Sequence, residues 1–289
     1  MVNRMLSLRQ LEIFLAIADS GSTIAAAEQV SRSQSAVSSA LAELENRLGV
    51  TLFDRVGRRL VMNEHGQRFY PQARLVLHQA DALGGLFKRG GGNLRIGAST
   101  TIGNYVLPDL LANAAHLPCR RVEIGNTHEI ADSVARCDLD VGLIEGKLQH
   151  PDLRTTPWRQ DEMVIVAASE SQWSSLSDAA TALAQAPWIM REAGSGTRSI
   201  VEQQLLGDFE AVNIVLELGS SEAIHNAVLA GLGISCLSRH IVQHSLASGR
   251  LRLIAPQRRL WRRFYIVQHR QRETTAAIKR FLALCEQSS

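Results

Sequence analysis

The first fifty residues place apolar side chains three and four positions apart, the spacing of amphipathic helices. This spacing predicts one helix from Leu8 to about Ser20 and a second, alanine-rich helix from Ile24 to Val30, capped by Ser22. Ser31-Arg32 is expected to form a tight turn, after which Ser33 caps a third helix. The apolar face of that third helix comprises Val37, Ala40, Leu41, Leu44 and Leu48.

The opposite face of the third helix carries only small polar side chains at its start. These are Gln34, Ser35, Ser38 and Ser39. In a helix-turn-helix protein the recognition helix enters the major groove by its N-terminal end, where amides and hydroxyls reach base edges and bulky groups would block entry. The pattern predicts such a domain, with Gln34, Ser35 and Ser38 on bases, Ser33 at the same surface and Arg32 on phosphate. The alternative is a plain capped helix whose serines face water.

The stretch "LGVTLFDRVGRRLVMNEHG" favours the DNA-binding alternative. It predicts a strand at Leu52-Phe53, a turn, and a second strand at residues 60–62. The predicted turn carries Arg55, Arg58 and Arg59. A basic hairpin beside a helix-turn-helix is a wing, and arginines there bind phosphates or enter the minor groove.

A long helix is expected to follow, from Asn63 to about Lys88. Its apolar residues alternate spacings of four and three, which indicates a heptad seam for pairing with a second subunit. The seam comprises Phe69, Ala73, Val76, Ala80, Leu83 and Phe87. The alternative is an amphipathic helix that packs on its own domain. Glycines 90–92 then predict a hinge.

From Leu94 the pattern changes to short apolar strands that alternate with helices. Such alternation with short links predicts an α/β fold with a mainly parallel sheet covered by helices. Two sets of strands indicate two lobes, with crossings near Val166 and Tyr265.

Ligands of such folds bind at strand carboxyl ends. The polar residues at those ends predict an effector site formed by Ser99, Thr100, Thr101, Thr127, Glu145, Ser195, Thr197, Arg198 and Ser221. Each hydroxyl could also be only a helix cap, and it is their repetition at one sheet edge that favours a ligand. Hydroxyls together with Arg198 favour a small anion.

Residues 8–66 resemble the winged helix-turn-helix of LysR-type transcriptional regulators. The resemblance rests on "LRQLEIFLAIADSGS", "AAAEQVSRSQSAVSSALAELENRLGVTLFDR" and "NEHG". Three positions depart from the family pattern: Thr23 where an aromatic residue is common, Ser35 where proline is usual, and Asn63 where a threonine cap is usual. Ser35 and Asn63 still suit helix starts, so the departures put the base preference in doubt rather than the fold.

The resemblance implies a domain order for the chain. Residues 1–65 would be the DNA-binding domain, residues 66–92 the linker (dimerisation) helix and hinge, and residues 93–289 the effector-binding domain. That last domain would have the two-lobed, Rossmann-like fold of type 2 periplasmic binding proteins. Lobe I would span about 93–166 and 266–289, and lobe II about 167–265.

The resemblance also implies partners. These are double-stranded promoter DNA, a homodimer or homotetramer, RNA polymerase and a small-molecule co-inducer, with no cofactor and no metal. Family members that govern sulfur and carbon assimilation have a similar hydroxyl-rich cleft, so a sulfur oxyanion is the first choice of effector.

Charge and composition narrow these expectations. The chain has a formal net charge of +3, and residues 1–90 hold 11 Lys and Arg against 8 Asp and Glu, so the whole excess lies in the predicted DNA-binding part. The start shows no export signal and no stretch is apolar enough to span a membrane, so we expect a cytoplasmic protein with no membrane partner. The chain lacks a G-x-S-x-G elbow, a P-loop, HExxH and a dinucleotide fingerprint, so no enzyme is expected.

Two rival functions remain at this point. A redox-sensing regulator would use the four dispersed cysteines, Cys137 and Cys236 in particular, instead of a ligand. An exported solute-binding protein would explain only the last two hundred residues. The segment "RRLWRR" (residues 258–263) is interpreted as a solvated edge, with contact to DNA or polymerase as the alternative.

Overall fold

The structure, a computed structural model, describes residues 6–57, 59–85, 94–114, 117, 119–175, 180–207, 212–258 and 260–287. The chain divides into two compact units, one comprising residues 1–92 with 136–138 and the other residues 93–135 with 139–289. Within the described ranges, no helix combines the length and the apolar composition that crossing a membrane requires.

The N-terminal unit contains the predicted winged helix-turn-helix. Its elements are α1 (Leu8–Ser20), α2 (Thr23–Gln29), α3 (Gln34–Leu48), β1 (Phe53–Val56), β2 (Arg59–Met62) and α4 (Glu64–Gly85). The predicted caps are confirmed: Ser7 and Gln10 form a capping box, Ser22 caps α2 and Ser33 caps α3. Helix α1 ends at Gly21, whose φ of 66° is the left-handed conformation that glycine adopts without strain.

The wing is tighter than the sequence predicts. Strands β1 and β2 pair from Phe53 with Met62 to Val56 with Arg59, so Arg55, Val56 and Arg59, which were predicted in the turn, belong to the paired strands. Gly57 has a φ of 62°, as short hairpin turns require. The hairpin is tied to the helices by a hydrogen bond from the Leu60 N–H to the Gly21 carbonyl at 2.9 Å.

The predicted heptad seam of α4 is partly packed within the N-terminal unit and partly exposed. Asn63 caps it as predicted, with its side-chain oxygen accepting from the Gly66 N–H at 3.0 Å. However, Phe69 packs edge-on against Phe14 with ring centres 5.1 Å apart, and Ala73 is buried in the same core. The prediction that these two residues face a partner is therefore wrong, because heptad spacing does not distinguish burial within a subunit from burial between subunits.

Two later residues of the seam are exposed rather than packed in this core. Val76 is 42% exposed and Leu83 is 66% exposed in the N-terminal unit. Phe87 and the glycine hinge lie outside the described residues.

The C-terminal unit alternates strands and helices. Its strands are β3 (Leu94–Ser99), β4 (Cys119–Gly125), β5 (Val141–Glu145), β6 (Leu153–Ala168), β7 (Trp188–Arg191), β8 (Ile214–Leu218), β9 (Ser235–Ser238), β10 (Leu251–Ile254) and β11 (Leu260–His269). Its α-helices are α5 (Thr100–Tyr105), α6 (Leu107–Ala112), α7 (Thr127–Ala135), α8 (Ala180–Gln185), α9 (Gly196–Val201), α10 (Ser221–Leu229), α11 (Arg239–Ala247) and α12 (Ala276–Gln287). Helix α11, strand β10 and the first half of β6 are elements that the sequence patterns did not predict.

The main sheet is mixed rather than mainly parallel, which corrects the prediction. Strand β3 pairs in parallel with β4 and β5, whereas β11 runs antiparallel to β5 and β6, and β6 antiparallel to β9 and β10. Strands β7 and β8 form a separate parallel pair. The antiparallel pairing arises because β6 and β11 are long strands that run through both lobes in opposite directions.

The first crossing between the lobes lies before Val166, near which the sequence predicted it. Trp158 packs against Phe264 in the lobe I core, whereas Met163 and Val166 lie in cores of lobe II. Strand β6 therefore changes lobe between Trp158 and Met163. The apolar run "MVIVAAS" suggested a whole strand, although it is only the lobe II half of one. Strand β11 crosses close to Arg262, near the predicted Tyr265.

We expect Gly66→Ala to destabilise the N-terminal unit by about 1–3 kcal/mol, as overpacking of a close contact does. A Cβ atom at Gly66 would lie 2.2 Å from the Leu52 carbonyl oxygen, which already accepts a hydrogen bond from Asn63. Hydrogen exchange of peptides from residues 6–85, measured in a urea series, checks this.

The matched control is Gly84→Ala in the same helix, where a Cβ meets nothing within 4 Å. This change should leave stability unchanged or raise it by up to about 1 kcal/mol. Equal effects of the two substitutions would contradict the close packing of α4 on Leu52.

Candidate functional site

The N-terminal turns of α3 present the polar face that the sequence predicts. Ser33 Oγ accepts from the Ala36 N–H at 3.3 Å and lies 3.1 Å from Ser35 Oγ. Gln34, Ser35 and Ser38 are all exposed. The buried side of α3 contributes Val37, Leu41 and Leu44 to the core. The buried side of α3 therefore fixes the helix in the domain. Its polar N-terminal face is exposed and accessible to a large partner such as the groove of a DNA duplex.

Thr23, one of the departures from the family pattern, contacts the recognition helix. Its hydroxyl accepts a hydrogen bond from the Gln34 side-chain amide at 3.4 Å. A hydroxyl at this position orients the amide, which an aromatic ring would do only by stacking. The structure thus connects the departure at Thr23 with the side chain expected to read bases.

The wing arginines lie on opposite faces of the hairpin. Arg59 pairs across the strands with Val56, and Arg55 pairs with Leu60, and neighbouring cross-strand pairs point to opposite faces. Both arginines are exposed. The remaining wing arginine, Arg58, lies outside the described residues.

A basic groove beside α3 was not recognised in the sequence. Its volume is about 350 Å³, and it is lined by Arg9, Arg32 and Arg47 together with residues of α1 and α3. Arg47 forms an ion pair with Glu43 at 2.8 Å. The arginines come from three separate segments, so no local pattern could have grouped them.

In the C-terminal unit, Glu145 is the centre of the predicted effector site. One carboxylate oxygen accepts hydrogen bonds from Ser99 Oγ at 3.0 Å and from the Thr101 N–H at 3.1 Å. The other accepts from Thr197 Oγ1 at 2.8 Å. The backbone carbonyl of Glu145 accepts from Thr127 Oγ1 at 3.2 Å. Four of the other eight predicted effector residues, from both lobes, therefore meet at the buried Glu145.

Arg262 completes this cluster and is the main residue that the sequence reasoning missed. Its guanidinium donates to the Glu145 carboxylate, to Asp161 Oδ2 at 2.6 Å and to Thr197 Oγ1 at 2.8 Å. Asp161 stands directly opposite Arg262 in the pairing of β6 with β11 and also accepts from Ser238 Oγ at 2.8 Å. The side chain of Arg262 is 0% exposed.

The interpretation of "RRLWRR" as a solvated edge is therefore wrong for Arg262. It holds for Trp261, which is 47% exposed. The alternation of Leu260, Arg262 and Phe264 on one face of a strand was the available signal, because Leu260 and Phe264 mark the buried face.

The electrostatics of the cluster keep Glu145 and Arg262 charged. Burial alone would raise the pKa of Glu145, but the charge of Arg262 and the hydrogen bonds from Thr197, Thr101 and Ser99 outweigh it, so the pKa lies below its usual value. Burial would likewise lower the pKa of Arg262, and the charges of Glu145 and Asp161 raise it instead.

The lobes touch closely at this point. A Cβ atom at Gly196, the first residue of α9, would lie 2.2 Å from the Glu145 carbonyl oxygen and 2.7 Å from Thr127 Oγ1. Only a glycine permits this approach. The side chains of Tyr105 and Glu222 add a hydrogen bond between the lobes, as do His128 Nδ1 and the Gly194 carbonyl oxygen at 2.9 Å.

The other predicted effector residues lie around this centre. Ser195 caps α9 and Thr100 donates to the Gly125 carbonyl at 3.3 Å. Arg198 does not join the cluster: its guanidinium pairs with Glu202 at 2.7 Å and with Glu217, both on lobe II. The structure thus places Arg198 apart from the hydrogen bonds around Glu145, and its part in binding an anion stays a prediction.

A second buried arginine lies in lobe II and was also missed. Arg191 donates to Ser221 Oγ at 2.8 Å and forms an ion pair with Glu192 at 2.7 Å. Ser221 is thus held by Arg191 rather than grouped with Arg198.

The cysteines are poorly placed for thiol chemistry. Cys137, Cys236 and Cys285 are buried and Cys119 is partly exposed. Burial raises the pKa of the Cys236 and Cys285 thiols to about 12, so the reactive thiolate is disfavoured. In the described part of the chain, no three His, Cys, Asp or Glu side chains are grouped as a metal site would need.

Comparisons with known proteins agree with this architecture. Residues 8–67 match the family described as "Bacterial regulatory helix-turn-helix protein, lysR family", and residues 87–289 match the "LysR substrate binding domain". The chain is 45% identical over 286 residues to the "Uncharacterized HTH-type transcriptional regulator YeiE" of Escherichia coli K12, covering 97% of each protein.

Solved structures share the fold. A full-length variant of OxyR from Pseudomonas aeruginosa matches with a TM-score of 0.75 at 24% identity, over 98% of this chain and 94% of that one. CbnR, solved in complex with its target DNA, matches with a TM-score of 0.66 at 19% identity, over 98% of this chain and 100% of that one. At these identities the likeness concerns the fold alone.

The two family matches together span nearly the whole chain, and the 45% identity extends over the same length. The family matches and this identity exclude the functions of an enzyme and of an exported solute-binding protein, because the family consists of transcriptional regulators. The chain belongs to the LysR family of DNA-binding, effector-responsive transcriptional regulators.

Proposed function

We propose that Gln34, Ser35 and Ser38 contact bases in the major groove, with Ser33 at the same surface. Arg32 and the wing arginines Arg55, Arg58 and Arg59 bind phosphates. The observations that support this are the exposed polar start of α3 and the hairpin of the same unit, which has arginines on both faces. CbnR, which has the same fold, has been solved bound to its target DNA. Arg9 joins this set, because it lines the same groove as Arg32.

The effector is a small oxyanion that binds between the two lobes, and a sulfur oxyanion is the first candidate. The supporting observation is the gathering of hydroxyls from both lobes on one carboxylate, since groups that bind a carboxylate also suit other oxyanions. Ser99, Thr101, Thr127 and Thr197 are the proposed contacts, with Arg262 as their cation. Thr100, Ser195 and Ser221 are neighbouring polar groups.

The regulator acts as a homodimer or homotetramer on promoter DNA. Support comes from Val76 and Leu83, which leave an apolar strip exposed on the second half of α4. Two copies are needed to read two half-sites. The effector shifts the population between two spacings of the paired DNA-binding domains. Its place of action is the cytoplasm, where it meets RNA polymerase at the promoter.

We expect Arg59→Ala to weaken binding to all duplexes and to lower the slope of log affinity against log salt by about 1, because one phosphate contact is lost. Gln34→Ala should instead reduce only the preference for a duplex selected from a random pool, by about 1–3 kcal/mol. Fluorescence anisotropy at several salt concentrations measures both quantities.

The control is Arg252→Ala, an exposed arginine on β10 of the other unit. It removes the same charge and should change neither quantity. An unchanged salt slope in Arg59→Ala would refute the role of the wing.

We expect at least one anion among sulfate, sulfite, thiosulfate, phosphate and simple carboxylates to raise the melting temperature of the full chain. At about 100 times its dissociation constant a ligand adds roughly 2.7 kcal/mol of stability. Ser99→Ala should weaken that anion about 10- to 100-fold, because one hydrogen bond to a charged group is lost. Thermal shifts are compared with the ligand-free melting temperature of each variant.

Ser175→Ala, an exposed serine outside the cleft, serves as the control and should shift as the wild type does. A panel without a single hit would refute a small-anion effector.

We expect Cys137 and Cys236 to resist thiol reagents in the folded protein, because both are buried and the pKa of Cys236 is raised to about 12. Both should react readily in urea. Mass spectrometry of chains labelled at pH 8, before and after treatment with hydrogen peroxide, gives the rates. Oxidant-dependent protection of either cysteine in the folded protein would instead support the redox-sensing alternative.

A further inference from the structure

The effector cradle already has an occupant. Both oxygens of the Glu145 carboxylate are saturated by donors from Ser99, Thr101, Thr197 and Arg262. Hydroxyls, a backbone N–H and a guanidinium are the donors that proteins present to a bound oxyanion. The carboxylate therefore makes the contacts that an external oxyanion would make.

Among the described residues, two buried guanidinium groups lie beside the cleft, and both form ion pairs with carboxylates. Arg262 is paired with Glu145 and Asp161, and Arg191 is paired with Glu192. Three carboxylates thus face two guanidinium groups. An oxyanion that entered beside them would add buried negative charge without a partner, which is strongly unfavourable.

The backbone leaves no space either. The start of α9 lies so close to the Glu145 carbonyl that a single Cβ at Gly196 would overlap it. The Thr197 hydroxyl reaches Glu145 across the lobe boundary only because of this approach. Glu145 and α9 therefore hold the lobes in contact at the point where the effector is expected.

We propose that Glu145 is a tethered competitor of the effector: its carboxylate fills the oxyanion cradle, holds the lobes together, and must leave when an oxyanion binds. This inference rests on the proposed function of the cleft. In the exchange one anion replaces another, so the buried charge stays constant and Asp161 continues to pair with Arg262. Because the carboxylate is attached to the protein, its high effective concentration weakens the apparent affinity for the effector.

The test is Glu145→Gln in the full chain, titrated calorimetrically with sulfate, sulfite and phosphate in turn. Glutamine keeps the shape but loses the charge, and its NH₂ faces donors instead of accepting from them. We expect the dissociation constant of the preferred anion to fall at least about tenfold, the gain when an internal competitor is removed. Without anion, peptides covering residues 196–201 should exchange hydrogen faster, because the lobes part.

Two further variants complete the test, one as a charge control and one as a conservative change at Glu145. Glu202→Gln removes the same charge from an exposed residue that pairs with Arg198, and should change neither measurement. Glu145→Asp keeps the charge beside Arg262 but shortens the reach by one methylene, so it should shift both measurements in the same direction by less. It also tests the proposal should Glu145→Gln not fold.

The outcomes separate this inference from the proposed function. Weaker or unchanged anion binding in Glu145→Gln, with the wild type binding normally, would overturn the competitor and leave the anion site standing. Binding of no anion by either protein would refute the anionic effector and the exchange together. Unchanged hydrogen exchange at residues 196–201 would overturn the role of Glu145 in holding the lobes.

Discussion

The contact of Arg262 with Glu145 and Asp161 is the interaction on which the C-terminal unit depends. These side chains are 0%, 2% and 1% exposed, so each would be strongly destabilising without the others. They come from β11, the end of β5 and the middle of β6. Satisfying the three charges therefore fixes how two lobes and the strands between them are arranged.

The position of this contact connects chemistry with architecture. Arg262 and Asp161 form a cross-strand pair where β6 and β11 pass from one lobe to the other. Glu145 adds lobe I and Thr197 adds lobe II. A change in the hydrogen-bond partners of Glu145 therefore alters the contacts of Arg262 on β11. Strands β6 and β11 are the ones that a movement of the lobes would bend. The proposed ligand site therefore includes side chains of the two strands that connect the lobes.

The N-terminal unit could be predicted because its helix starts depend on residues close together in the sequence. Much of the C-terminal unit depends on contacts between distant residues, which the sequence patterns do not show. Ser22, Ser33 and Asn63 marked helix starts because a cap involves residues only two or three positions apart. The hydroxyls around Glu145 were found because strand ends converge at one sheet edge. Arg198 has a local partner in Glu202, but its second partner, Glu217, lies 19 positions away, and Glu145, which pairs with the buried Arg262, lies 117 positions away. No local pattern contains these distant partners.

The divided seam of α4 has a consequence for how the protein is made. Because Phe69 and Ala73 complete the core of their own subunit, the first half of this helix is needed for the winged helix-turn-helix to fold. The second half, with Leu83, contributes little to that core. A newly synthesised chain can therefore fold its DNA-binding domain at any dilution and assemble afterwards. Subunit concentration then sets the number of paired regulators, without setting the number of folded ones.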